Sequence, residues 1–303
     1  MSEAPRVTAV IVSFNTREHL LRCLASLEAH VTLPLQTVMV DNGSSDGSAD
    51  AVRDAHPAVQ VIENHANLGF AAACNRGLRE ARAPYVLLLN SDAEVCAGAV
   101  EGLAAILEAR SDVGIVGPRT VGHDGGPQVS FGPDLTPLSE WRQRRLVRAL
   151  RQRRPEAVRE VTALCAREQE PAWVSGACLL ARKPALDAVG GLDERFFLYE
   201  EDVDLCLRVR KAGWRILYTP ESVVMHHLGR SMEKIPALSR LEYDRSHLRF
   251  YAKHRGPGAR ALLRLFLAGS SAAGWIAALG PGPDRRARRQ GRADALRVAI
   301  SGP

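Results

Sequence analysis

Residues 7–92 read VTAVIVSFNTREHLLRCLASLEAHVTLPLQTVMVDNGSSDGSADAVRDAHPAVQVIENHANLGFAAACNRGLREARAPYVLLLNSD. Four apolar runs punctuate this stretch, at Val7–Val12, Val38–Val40, Val59–Ile62 and Tyr85–Leu89. The segments between them have helical spacing; the first places Leu20, Leu21, Leu24 and Leu27 on one face. Strand and helix in alternation predict βαβ units and a mostly parallel central sheet flanked by helices. Strands apolar on both faces belong in its centre, and ligands of such sheets bind beyond the carboxyl ends of the strands. Those ends carry Ser13 and Asn15, Asp41 and Asn42, Asn64 and Asn67, then Asn90, Ser91 and Asp92. Four strands thus deliver polar groups to one rim.

A second stretch, WVSGACLLARKPALDAVGGLDERFFLYEEDVDLCLRVRKAGWRILYTPESVVMHHLGRS at residues 173–231, crowds Glu200, Glu201, Asp202 and Asp204 together after an aromatic run. The spacing of Leu205 and Val209 predicts a helix with one buried face, so the carboxylates sit at a helix start near a core. Helix N-termini favour negative charge, which explains such a cluster structurally. Crowded like charges also raise the pKa of one member, which tunes a carboxylate as a general base. Both readings stay open at this point, with Asp204 expected to cap or to face solvent.

At 303 residues and 46% hydrophobic composition, the chain can bury a large core. Six cysteines are scattered without a CxxC pair and are expected to be reduced. Residues 1–5 lack the basic start of a secretory signal, which predicts a cytoplasmic location. The formal charge of +6 is uneven, with basic blocks at Trp141–Arg154 and Arg285–Arg292. Leu146, Val147 and Leu150 make the first block an amphipathic basic helix suited to an anionic membrane surface, although a solvated arginine-rich face has the same composition. Residues 262–279, LLRLFLAGSSAAGWIAAL, fall short of a spanning helix and read as an interfacial or docking segment. HDGG at 123–126 predicts a hairpin whose second strand extends the sheet.

The segments VTAVIVSFNT, VDNGSSDGS, NLGFAAACNRG, LLLNSDAEV, GGLDERFFLYEEDVDLCLRVRKAGW and HHLGRS occur in an order that resembles the family 2 glycosyltransferases. The subgroup it is most similar to is the rhamnosyltransferase-like enzymes that build cell-wall linkers and O-antigens. The resemblance implies a GT-A fold and inverting transfer of a sugar, with rhamnose a candidate, from a dTDP-, UDP- or GDP-sugar to a saccharide hydroxyl. The acceptor expected is polyprenyl-diphosphate-linked, and the enzyme is expected to be peripheral at the inner face of the plasma membrane.

Residue by residue, the resemblance implies that Asp202 is the base, with Glu201 orienting it or binding the acceptor. It places Asp92 as ligand of a divalent cation, Mg²⁺ or Mn²⁺; Asn90-Ser91-Asp92 stands where the family often has two aspartates. His226, which opens the His-x-x-Gly-x-Ser pattern ending at Ser231, is a further ligand or a diphosphate contact. Donor binding falls on Ser13, Asn15, Asp41, Asn67, Gly69, Asn75, Arg76 and Ser91. Ser175-Gly176-Ala177 lies under the donor sugar, and Asp193 contacts sugar hydroxyls. The implied domains are a GT-A domain at 1–245, with a nucleotide-binding half to about 120 and an acceptor half from 121, and a helical extension at 246–303.

Two readings compete with this one. A nicotinamide enzyme would need G-x-G-x-x-G after the first strand, where Ser13-Phe14-Asn15-Thr16 stands instead. A noncatalytic nucleotide-sugar or nucleic-acid binding protein would suit the basic charge. Nucleic acid is not expected as a partner, because the basic blocks have too few aromatics for a stacking platform.

Overall fold

The computed structural model describes residues 3–227, 236–277 and 285–301. The chain opens with β1 (Val7–Ser13), α1 (Arg17–His30), β2 (Leu35–Asp41), α2 (Ser48–Ala55), β3 (Gln60–Glu63), α3 (Phe70–Arg79) and β4 (Tyr85–Asn90). It continues through β5 (Ala93–Val95), α4 (Ala99–Ala109) and β6 (Val113–Val121). An excursion then contains β7 (Phe131–Gly132), α5 (Pro137–Arg151), α6 (Pro155–Cys165) and β8 (Trp173–Val174). The chain returns as β9 (Cys178–Arg182), α7 (Lys183–Asp187), α8 (Glu201–Lys211) and β10 (Arg215–His226), and closes with α9 (Pro236–His254), α10 (Pro257–Ala277) and α11 (Arg285–Ser301).

The sheet order is β3-β2-β1-β4-β9-β6-β10-β5. The first four strands pair in parallel, and β6 and β10 run the same way. Strand β9 is antiparallel to both β4 and β6, and β5 is antiparallel to β10. Strand β1 is buried along its whole length. Its alternate side chains feed two cores: Val7, Ala9 and Ile11 meet Leu20, Leu24 and Leu103 on one face, while Val10 and Val12 share the other with Leu205, Val209 and Tyr218. The apolar spacing read in α8 therefore does seat that helix on the sheet.

Three expectations change here. The turn at HDGG forms, with Gly122 N–H donating to Gly126 O, but the strand after it leaves the large sheet. Strand β7 pairs with β8 in a separate two-stranded sheet, because β9 already occupies the edge of β6. Asp204 neither caps nor faces solvent. It is fully buried and bonded to Arg208 at 2.7 Å, with Lys253 and His254 each 2.6 Å away. Finally, the expected boundary at 245 falls inside α9. Phe250, Tyr251 and Leu248 of that helix form a third core with Phe196, Val203 and Leu207, so α9 is packed on the acidic helix.

The cysteines of the described residues are all free thiols, and Tyr218 is core, its hydroxyl donating to Cys165 O at 2.9 Å. Among the described residues no helix is long and apolar enough to cross a membrane.

Removing one partner of a buried ion pair leaves the other charges uncompensated, which costs about 3–5 kcal/mol. Asp204→Ala is accordingly expected to lower unfolding free energy by about that amount in denaturant titration. A loss below about 1 kcal/mol would show that Asp204 does not tie α8 to α9.

Candidate active site

The ends of β1, β2, β3 and β4 are knitted together by side chains. Ser13 Oγ lies 3.0 Å from Thr16 Oγ1, which lies 2.8 Å from Ser91 Oγ, so a chain of hydroxyls joins the first and fourth strand ends. Asn15, at φ 55°, accepts from Ser45 N–H at 2.8 Å. Asp41 Oδ2 accepts from Ser44 N–H at 3.0 Å, an Asx turn at the start of the glycine- and serine-rich loop. Asp41 Oδ1 is buried and has no hydrogen-bond partner.

Asn42 bridges the next two loops: its amide donates to Asn67 Oδ1 at 2.9 Å, and its carbonyl accepts from Asn64 at 2.9 Å and from Leu68 N–H at 3.1 Å. Arg76 donates to Asn64 Oδ1 at 2.5 Å. Gly69 has φ 89°, and a Cβ there would stand 2.7 Å from Phe197 O. Only glycine lets Phe70 N–H reach that same oxygen at 2.7 Å, which locks this loop to the aromatic run before α8. Asn75 lies apart from these groups, its amide committed to Leu192 and Glu194 on the loop before the aromatic run. Asp193 is likewise engaged, by Arg195 and Lys253, and the Arg195 guanidinium holds its carboxyl well below the usual range.

The acidic helix starts against the centre of the sheet. Asn90 N–H donates to Ala177 O at 2.9 Å, and Gly176 N–H donates to Asp202 Oδ2 at 2.7 Å. A side chain at Gly176 would press on Asp202, with a Cβ 3.2 Å from its own Cβ. Asp202 is half-buried, and desolvation pushes its pKa up to about 6 against the Gly176 hydrogen bond, with the Glu200 charge adding to the rise. Glu201 is buried, and desolvation followed by the Asp202 charge drives its pKa well above the ordinary value. The two neighbouring carboxyls are therefore set apart: burial and the Asp202 charge disfavour ionisation of Glu201, while Asp202 is mostly ionised near neutrality and able to take a proton.

Asp92 and His226 meet across the β4 and β10 ends. His226 Nε2 is 3.2 Å from Asp92 Oδ1, is buried, and makes no hydrogen bond. His227 turns elsewhere, 2.7 Å from Glu94 Oε1. No group of three His, Cys, Asp or Glu side chains gathers as a metal site among the described residues. A carboxylate oxygen beside an uncommitted imidazole nitrogen fits Mg²⁺ or Mn²⁺ when a diphosphate completes the coordination. Ser231 lies outside the described residues.

Buried polar atoms without partners cost about 1–3 kcal/mol each, so their placement is informative. Of nine such side-chain atoms among the described residues, five belong to Asp41, Asn90, Glu200, Glu201 and His226, at the strand ends or the start of α8. Asn42 and Asn64, read in the sequence as rim residues, form the framework of these loops, and Thr16, which joins Ser13 to Ser91, was not singled out in the sequence although its polarity at a strand end was the available signal. Sequence reading also missed His247, which pairs with Glu200, and Glu140, which pairs with the other nitrogen of His247; both come from distant segments and leave no local signal.

The family described as Glycosyltransferase like family 2 matches residues 5–251. The N-acetylglucosaminyl-diphospho-decaprenol L-rhamnosyltransferase of Mycobacterium tuberculosis is 33% identical, covering 87% of this chain and 89% of that protein. The pre-mycofactocin glycosyltransferase of the same organism is 30% identical over 73% of this chain and 42% of its own length. Among solved structures, a mannosyltransferase from Pyrobaculum calidifontis in complex with GDP-Man and Mn²⁺ aligns over 99% of this chain and 87% of its own, at TM-score 0.60 and 20% identity. GalNAc-T7 with UDP, GalNAc and Mn²⁺ aligns over 100% of this chain and 57% of its own, at TM-score 0.61 and 13% identity. The structural likeness is one of fold, and that fold is GT-A.

An aspartate base must be ionised, and Asp202 gains its proton as pH falls through about 6. The acid limb of kcat/KM is expected near pH 6, well above the ordinary aspartate value of about 3.9. A limb below pH 5 would contradict the desolvated environment assigned to Asp202.

Proposed function

Since the chain belongs to the family 2 glycosyltransferases, we propose that it moves a sugar, with rhamnose the leading candidate, from a nucleoside-diphosphate donor to a polyprenyl-diphosphate-linked saccharide, inverting the anomeric carbon. Such a step belongs to cell-wall or surface polysaccharide synthesis. The observation that carries the reading is the Asp202 carboxyl, half-buried at the start of α8 and tied through Gly176 and Ala177 to the Asn90-Ser91-Asp92 strand end. Asp202 takes the acceptor hydroxyl proton as that oxygen bonds to the anomeric carbon, and the bond to the departing diphosphate breaks. Glu201, whose charged form burial disfavours, hydrogen-bonds the acceptor and orients it.

On the donor side, the uncommitted Asp41 Oδ1 accepts from the nucleobase or ribose, and Ser13, Asn15, Asn67 and Ser91 shape the nucleotide pocket with Gly69. Arg76 is near enough to the Asn64 loop to order it beside the phosphates. Asp92 and His226 would hold Mg²⁺ or Mn²⁺, which when bound neutralises charge on the leaving diphosphate.

The acceptor lipid calls for a membrane-facing surface. Helix α5 exposes Leu138 (58%) and Trp141 (52%), and α10 exposes Leu265 (71%) and Phe266 (51%). The guanidinium of Arg145 lies 4.7 Å from the Trp141 ring centre, and that of Arg144 lies 5.5 Å from the Phe266 ring centre. Exposed apolar side chains interleaved with arginines suit the anionic cytoplasmic leaflet and support a peripheral position on it. The side chains of residues 285–289 in the second basic block lie outside the described residues.

Asp202→Asn is expected to lower turnover more than about a hundredfold while leaving calorimetric affinity for the donor nucleoside diphosphate within about twofold. Near-normal turnover would refute the assignment. Trp141→Ala with Leu265→Glu is expected to release the protein from phosphatidylserine vesicles, and added salt to weaken the wild type as well. Unchanged partitioning would refute the membrane surface.

A further inference from the structure

Glu200 opens the acidic helix in a conformation that glycine would adopt more cheaply. Its φ is 65° and that of Tyr199 is 70°, so two consecutive non-glycine residues sit in the left-handed region immediately before Glu201 and Asp202. Such residues carry backbone strain and persist only where surrounding structure over-determines them. Tyr199 is held by Ser239 at 2.6 Å, and Leu198 O accepts from Ser246 at 2.8 Å, both from α9. Glu200 is held by His247, whose Nδ1 lies 2.9 Å from Glu200 Oε1.

The other nitrogen of that ring is engaged too. His247 Nε2 lies 2.7 Å from Glu140 Oε2 of α5, and the ring is fully buried. Tyr251 also donates to Glu140, and Arg144 lies 3.4 Å from it. An imidazole with a carboxylate on each nitrogen satisfies both only when both nitrogens carry protons. We propose that His247, clamped between Glu140 and Glu200, is a positioning residue that fixes the strained loop presenting Glu201 and Asp202. The excursion helix α5 and the C-terminal helix α9 are then parts of the acceptor side of the site, not appendages to it. The proposal rests on Asp202 being the base.

The electrostatics agree with the geometry. Burial alone would lower the His247 pKa, but Glu200 and Glu140 together lift it to about 9. The groups facing the ring are Glu140 and Arg144 from α5, Tyr243 and Tyr251 from α9, and Glu200 from the loop. Those facing Asp202 are Glu200, Glu201 and the buried Cys206 thiol. A raised histidine pKa contributes stability that is fully present below about 6.5 and is lost as pH rises through about 9. The loop should therefore loosen on the alkaline side.

Two measurements on the full chain test this. In a ¹⁵N NMR titration, the His247 ring is expected to carry protons on both nitrogens at pH 7 and to lose one near pH 9; a ring already neutral at pH 7 overturns the proposal. Glu200→Gln keeps an oxygen for the His247 N–H but removes the charge that helps raise the Asp202 pKa. It is expected to move the acid limb of kcat/KM to lower pH and to reduce kcat about tenfold, with donor affinity unchanged. An unmoved limb with unchanged kcat overturns the positioning role while leaving Asp202 as the base. Full activity of Asp202→Asn, by contrast, would remove the catalytic reading itself. His247→Asn keeps a donor near the Nδ1 position and His247→Gln keeps one near Nε2, so the Asn variant should retain more activity; equal loss in both, with both folded, overturns the assignment of the Glu200 contact.

Discussion

Four carboxyl groups stand within five residues at the start of one buried helix, and the chain resolves that repulsion in four ways. Glu200 is paired with His247, Asp204 with Arg208, Lys253 and His254, and burial together with the Asp202 charge disfavours the ionised form of Glu201. Asp202 alone is left with backbone donors, from Gly176 and Val203, and with a pKa raised to about 6. Like charges confined in low dielectric cannot all ionise freely, so the partners given to Glu200 and Asp204 and the burial of Glu201 bear on the state of Asp202. The ionisable carboxylate left at this helix start follows from this partition and not from any special property of one aspartate.

The sheet supplies the second half of the site. Parallel strands put four loops on one edge, and the antiparallel β9 between β4 and β6 brings Ser175-Gly176-Ala177 up beneath Asp202. The small residues there matter because the backbone itself is the hydrogen-bond donor. Polar atoms left without partners at the strand ends and the start of α8 represent a standing cost that a bound nucleotide-sugar would offset.

The polar rim was legible in the sequence because apolar strands and the polar residues that end them are local signals. The carboxylate crowding was equally visible, and so was the buried face given by Leu205 and Val209. What escaped was non-local. Asp204 reads as a surface or capping residue until α9 brings Lys253 and His254 to it. The HDGG turn is fixed by Asp124, which accepts from Gly126 N–H, but which strand pairs next depends on β9, more than fifty residues away. The same holds for Glu140, His247 and Glu200, which lie on separate elements and meet only through packing. Asn75 matches the family pattern by position, yet its amide serves the loop that leads into the acidic helix.

The most direct test is transfer itself, using a dTDP-, UDP- or GDP-sugar of defined anomeric configuration with Mg²⁺ or Mn²⁺ and a polyprenyl-diphosphate-linked acceptor. The linkage formed would be read by NMR. A single base acting in one displacement predicts acceptor-dependent product with inverted configuration. A retained configuration, or donor breakdown indifferent to the acceptor, would contradict the account.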